Sequence, residues 1–106
     1  MSIYYINSLE ELKQVCNNAG NQLILMDMFA NWCGPCKSLS PKIDLFARQY
    51  PNTIFIKVDV DIAEDIANNF KITSMPTIIF IKNYIEIDRV IGANIQKIEE
   101  ILKKHV

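Results

Sequence analysis

The sequence predicts an α/β fold: a mixed five-stranded sheet, three parallel strands plus an antiparallel C-terminal hairpin, flanked by four helices. Two patterns predict it. From Ile3 to Phe70, β-prone segments alternate with segments of helical period, and successive strands of that kind return parallel through right-handed crossovers. Near the C-terminus, two β-prone runs at residues 77–81 and 86–91 are separated only by Lys82-Asn83-Tyr84-Ile85, short enough for a hairpin.

Each element has a local reason. Residues 3–6 are a short β-prone run, and Ser8-Leu9-Glu10-Glu11 then reads as a capping box for a helix carrying Leu9, Leu12, Cys16 and Ala19 on one face. Gly20 stops that helix. Residues 23–30 are almost continuously apolar, as in a central strand covered on both faces. Pro35 is tolerated in a first helical turn, and Leu39, Ile43, Phe46 and Tyr50 carry the helical period until Pro51, with a kink expected at Pro41. Residues 53–58 form a β-branched strand, and Asp61-Ile62-Ala63-Glu64 reads as the cap of a helix reaching roughly Phe70. Asn94 caps a last helix with Ile95, Ile98, Ile101 and Leu102 inward, and Lys103, Lys104 and His105 complement its C-terminal dipole.

The whole chain narrows the function classes. With 106 residues, half of them hydrophobic, the sequence suits one domain over residues 1–106 with a sizeable core. Eleven basic and twelve acidic residues are spread evenly, so neither a nucleic acid nor an anionic membrane is an expected partner. Met1-Ser2-Ile3-Tyr4-Tyr5-Ile6-Asn7 has no basic region before a long apolar one, and no apolar run approaches the roughly 20 residues of a membrane span. Three cysteines, an odd number, suit a reducing compartment, and a cytoplasmic location is expected. The eighteen isoleucines and ten asparagines read as a coding preference.

The chemistry concentrates at Trp32-Cys33-Gly34-Pro35-Cys36-Lys37, directly after the apolar strand. Two cysteines at this spacing are either a reversible redox couple or half of a metal site. A closed zinc site needs four ligands, and Cys16 on an unrelated helix with a terminal His105 does not complete one. The redox couple is therefore expected, with no metal and no cofactor. At a helix start, free backbone N–H groups and the dipole favour a Cys33 thiolate, the attacking species. Cys36, one turn further in, is expected to be less exposed and to resolve the mixed disulfide. Gly34 admits a partner backbone, and Pro35 stiffens the turn.

Asp27 is a carboxylate within the apolar strand, six residues before Cys33. Buried without a strong partner, it would hold its proton near neutrality and could exchange it with Cys36. Lys57, on the next strand, either pairs with or tunes this carboxylate, or is a plain surface lysine. Trp32 reads either as an exposed contact residue or as a ring packed over the helix start. For Met75-Pro76, the residues alone predict a trans bond, the ordinary state of X–Pro. Cys16, on an apolar helix face, reads as a small core residue, and the single terminal His105 supplies no base for Cys–His protease chemistry.

Asp27-Met28-Phe29-Ala30-Asn31-Trp32-Cys33-Gly34-Pro35-Cys36-Lys37, Lys57-Val58-Asp59-Val60-Asp61, Met75-Pro76-Thr77 and Gly92-Ala93, in this order and spacing, resemble the thioredoxin family essentially end to end. The resemblance implies the thioredoxin fold, Cys33 as nucleophile, Cys36 as resolving thiol, Asp27 as buried acid/base, and Gly34 and Pro35 as redox-tuning residues. It further implies a cis Pro76 facing the cysteines, with Met75 offering its backbone to an extended substrate and Trp32, Val60, Ile91 and Gly92 lining the contact surface. Three positions depart from the family's usual residues: Met28 for an aromatic, Asn83-Tyr84 for Asn-Gly, and Ser74 where some members carry a further cysteine.

The expected activity is that of a monomeric protein-disulfide reductase serving electron transport and cell redox homeostasis. The resemblance implies regeneration by an NADPH-dependent thioredoxin reductase and protein substrates of the peroxiredoxin and ribonucleotide reductase type. A disulfide isomerase or oxidant of the same fold usually has His between its cysteines, where this chain has Gly34-Pro35. A binding or scaffold module without disulfide turnover is the other alternative.

Overall fold

The structure, a computed structural model, describes residues 3–106, so Met1 and Ser2 of the leader-peptide reading lie outside the described residues. The elements follow in the predicted order: β1 (Ile3–Tyr5), α1 (Leu9–Ala19), β2 (Ile24–Phe29), α2 (Gly34–Gln49), β3 (Ile54–Asp59), α3 (Glu64–Asn69), β4 (Thr77–Lys82), β5 (Ile85–Ile91) and α4 (Ile95–His105). The sheet order is β1-β3-β2-β4-β5. β1, β3 and β2 run parallel, and β4 runs antiparallel to both β2 and β5. β2 is thus the central strand, which is why its sequence is apolar on both faces.

Strand alternation sorts the core into two layers. Ile24, Met26, Met28, Ile56 and Val58 pack with Leu12, Cys16 and Ala19 of α1 and Ile66 of α3. Leu25, Phe55, Ile78 and Phe80 pack on the other side with Leu39, Ile43 and Phe46 of α2 and Ile98 and Leu102 of α4. Among the described residues, no helix is long and apolar enough to cross a membrane.

The caps explain most boundaries. Ser8 Oγ accepts from Glu11 N at 3.2 Å, while Glu11 Oε1 reaches past the cap to accept from Asn7 N at 3.0 Å. A long-range group adds to it: Asp65 Oδ2 accepts from Leu9 N at 2.8 Å. Asn94 Oδ1 caps α4 by accepting from Lys97 N at 3.1 Å. The expected Asp61 cap of α3 is not made. That helix begins after Ala63 without a side-chain cap, because Asp61 is held elsewhere: its N–H donates to Asp59 Oδ1 and its carboxylate accepts from Trp32. The β4–β5 hairpin keeps a two-residue turn despite lacking glycine, with Asn83 at φ 51° and Tyr84 at φ 68°. Both positive angles are those of a type I′ turn, the hand that matches strand twist. The Tyr84 hydroxyl donates to Asn17 Oδ1 of α1, a tie that Gly could not make.

Candidate active site

β2 ends at Phe29, and within four residues the chain turns into α2 with Cys33 as the N-cap residue. Cys33 N donates to Ala30 O at 3.1 Å, and Cys33 Sγ accepts from Cys36 N at 3.2 Å, so a sulfur occupies the place a serine hydroxyl takes in an ordinary cap. Gly34 and Pro35 fill the first helical turn, where proline's missing N–H leaves no bond unmade. A Cβ on Gly34 would meet nothing within 4 Å, so no packing requires glycine there, and its bare backbone faces open space.

Cys33 and Cys36 form a disulfide, with Cα atoms 5.3 Å apart. Cys36 is not the more deeply placed of the two. Each residue is 5% exposed, and the two are joined by the disulfide. Their surroundings differ instead. Cys33 holds the helix-start N–H, whereas Cys36 lines a cavity of about 160 Å³ shared with Asp27, Ser40 and Lys57 and reaching Tyr5.

Asp27 is 3% exposed, and its Oδ1 has no hydrogen-bond partner among the described residues. Burial pushes its carboxyl from the ordinary 3.8 up to about 7; the Lys57 ammonium pulls it down and the Asp44 carboxylate pushes it up, both more weakly. Lys57 lies opposite Asp27 in the β2–β3 register and is itself only 5% exposed, which excludes the surface-lysine reading. It does not pair with Asp27. Its Nζ donates to Ser40 Oγ at 2.8 Å and to Asp44 Oδ1 at 2.9 Å, both on α2. Ser40 and Asp44 went unread in the sequence, although the spacing Cys36, Ser40, Asp44 marks a stripe at steps of four along one helix face.

The remaining sequence-predicted residues gather at the same end of the sheet. Val60 and Met75 pack against Ala30, Cys33 and Cys36. The Met75–Pro76 bond is cis, contrary to the trans state expected from the residues alone and in line with the resemblance. The tertiary amide costs proline only about 0.5–1 kcal/mol to turn cis, a preference that packing overrides. Pro76 O accepts from Gly92 N at 2.8 Å, and Gly92 has φ 98°, a backbone region open to glycine. Ile91 stands beside it, exposed. Trp32 is 68% exposed, with its Nε1 donating to Asp61 Oδ2 at 3.0 Å. The ring is held by its edge and open on its surface, not packed over the helix start. Asp61 is a third residue, after Ser40 and Asp44, that the sequence did not connect to the site.

The comparisons agree with this geometry. The thioredoxin family model matches residues 5–104. A thioredoxin of Echinococcus granulosus is 48% identical over 84 residues, covering 79% of this chain and 78% of that one. A peptide-N(4)-(N-acetyl-beta-glucosaminyl)asparagine amidase of Caenorhabditis elegans is 43% identical over 106 residues, 99% of this chain, which spans only 18% of that relative's length. Among solved structures, Fasciola hepatica thioredoxin superposes with a TM-score of 0.95 at 39% identity, covering 97% of this chain and 99% of that one. A redox disulfide at a helix start, the five-stranded mixed sheet beneath it and a family match over nearly the whole length lead to one conclusion: the chain belongs to the thioredoxin family of thiol-disulfide oxidoreductases.

Proposed function

We propose that the protein reduces protein disulfides by cycling Cys33 and Cys36 between dithiol and disulfide, as one thioredoxin domain over residues 1–106 acting as a monomer. The observation that carries this reading is the Cys33–Cys36 disulfide at the first turn of α2, with Cys36 and a buried carboxyl on one cavity.

In the forward cycle the Cys33 thiolate attacks one sulfur of a substrate disulfide. The Cys33–substrate bond forms, the substrate S–S bond breaks, and the departing substrate thiolate takes a proton from water. Asp27 then accepts the Cys36 proton, and the Cys36 thiolate attacks Cys33. The Cys33–Cys36 bond forms, the second substrate thiolate leaves and is protonated, and two electrons have passed to the substrate. A carboxyl with a proton affinity near neutrality suits this exchange in both directions. Gly34 and Pro35 tune the helix start, and Lys57 tunes Asp27. Trp32, Val60, Met75, Pro76, Ile91 and Gly92 receive an extended substrate segment.

Regeneration falls to an NADPH-dependent thioredoxin reductase, and the substrates are disulfide proteins of the peroxiredoxin and ribonucleotide reductase type. The odd cysteine count supports a cytoplasmic location, and the dithiol–disulfide cycle supports a part in electron transport and redox homeostasis. A scaffold module is the second reading, supported by the amidase in which the matching part is a small fraction of the length.

Reduction of a model protein disulfide coupled to NADPH and thioredoxin reductase tests the proposal. Turnover by the wild type should exceed that of Cys33→Ser by on the order of 10³-fold. Cys36→Ser should form the mixed disulfide and stall there. Wild-type turnover no greater than that of Cys33→Ser leaves only the scaffold reading.

A further inference from the structure

We propose that Ser40 and Asp44 are positioning residues that hold the Lys57 ammonium off Asp27, so that Asp27 stays an unpaired proton carrier for Cys36. The proposal deepens, and rests on, the reading of Asp27 as the acid/base of the cycle.

Asp27 and Lys57 are register partners on adjacent parallel strands, so their side chains leave the same face of the sheet about 4.8 Å apart at the backbone. Both are buried and both line the cavity that reaches Cys36. A buried ammonium needs a partner, and Asp27 Oδ1 is an open acceptor on the neighbouring strand. Left to these two strands alone, the pair would close. It does not close, because α2 supplies two better-placed acceptors, one and two turns beyond Cys36, at 2.8 and 2.9 Å from Nζ. The Asp44 side chain remains 42% exposed, so its carboxylate keeps part of its hydration while gripping the lysine. Asp27 would otherwise be locked in the charged form, an acceptor too weak to take the Cys36 proton.

Around Asp27, β3 presents Lys57; α2 presents Asp44, Lys37 and Cys36; β1 presents Tyr5; and the β4 partner, Ile78, carries no charge. In the disulfide form Cys36 does not titrate, so Asp27 can be followed there without interference from a thiol.

The test is the pH midpoint of the Asp27 carboxyl carbon, read by ¹³C NMR on the oxidised protein. For the wild type it should lie at about 7. Asp44→Asn removes the tether and should lower it by about one pH unit as Lys57 moves onto Asp27. Ser40→Ala, which changes no charge, should lower it by a smaller amount, and Asp44→Glu should restore it. Asp44 also acts on Asp27 directly through its field, so the decisive comparison repeats Asp44→Asn in a Lys57→Met background. A shift there of less than half the original supports the tether. Equal shifts in the two backgrounds overturn it, as does a midpoint unmoved by both Ser40→Ala and Asp44→Asn; the Ser40→Ala arm stands even if the Lys57→Met protein does not fold. Because the titration involves no turnover, a failed tether is distinguishable from a failed acid/base role, which would appear as an Asp27→Asn protein with unaltered resolution kinetics.

Discussion

Cys16 and Cys36 are buried to nearly the same depth, 8% and 5% exposed, on opposite faces of one sheet. Cys16 lies in the middle of α1 among Leu12, Ala19 and Ile81, and burial pushes its thiol up from the ordinary value. Cys36 lies in the first turn of α2, bonded to Cys33 and beside a polar cavity holding Asp27, Ser40 and Lys57. Accessibility therefore does not separate the free thiol from the disulfide sulfur. The separation comes from position on the helix and from the neighbouring face: among the described residues one layer buries no charged side chain, while the other admits a buried carboxyl, an ammonium and the groups that hold them.

The sharpest test of that difference is the stability cost of Asp27. Its folded-state proton affinity, at about 7, lies above the ordinary 3.8, so the folded protein binds this proton more tightly than the unfolded chain does. The group's contribution is therefore neutral below pH 4, and it becomes destabilising as pH rises from about 4 to 7. Above that window the loss reaches up to about 4 kcal/mol. Asp27→Asn should remove this pH dependence; unfolded in denaturant at pH 5 and pH 8, the oxidised wild type should lose about 3 kcal/mol more stability between the two than the variant does, the part of the window that lies above pH 5. Parallel pH curves would mean that the carboxyl is as well solvated as any on the surface.

Kinetics gives the next largest effect. Asp27→Asn should slow resolution of the mixed disulfide by on the order of 10²-fold while leaving the first attack by Cys33 nearly unchanged. Stopped-flow measurement of the two phases checks this, and equal slowing of both would place Asp27's influence on Cys33 instead. The smallest effects belong to the apolar layer. Cys16→Ala removes one sulfur from a packed face and should cost about 1 kcal/mol, with turnover within about twofold of wild type. A tenfold loss of turnover would end the contrast between the two faces.

Much of this was legible in the chain itself. The Ser8 and Asn94 caps, the apolar run of β2 and the short hairpin loop are local patterns, and the structure repeats them. The Cys pair and Asp27 stood out because each violates its context: two thiols at a helix start and a carboxylate inside a central strand. What was not legible joins residues far apart. Asp65 caps α1 from 56 residues away, Asp61 takes the Trp32 indole from 29, and Lys57 chooses Asp44 and Ser40 over its own register partner. A capping signature at Asp61 even pointed the wrong way, since one carboxylate had two uses and the longer-range one won.

By itself, then, the sequence determined which elements form, which residues face inward, and which sulfurs stand at a helix start, because backbone propensity, hydrophobic period and capping act over a few residues. Only the tertiary structure decided how the charges around Cys36 are shared. Strand register puts Lys57 beside Asp27, and the rotation of α2 over the sheet brings Ser40 and Asp44 within reach of it. Burial then determines which of those groups keeps its proton, since the cost of desolvating a charge depends on every element packed around it.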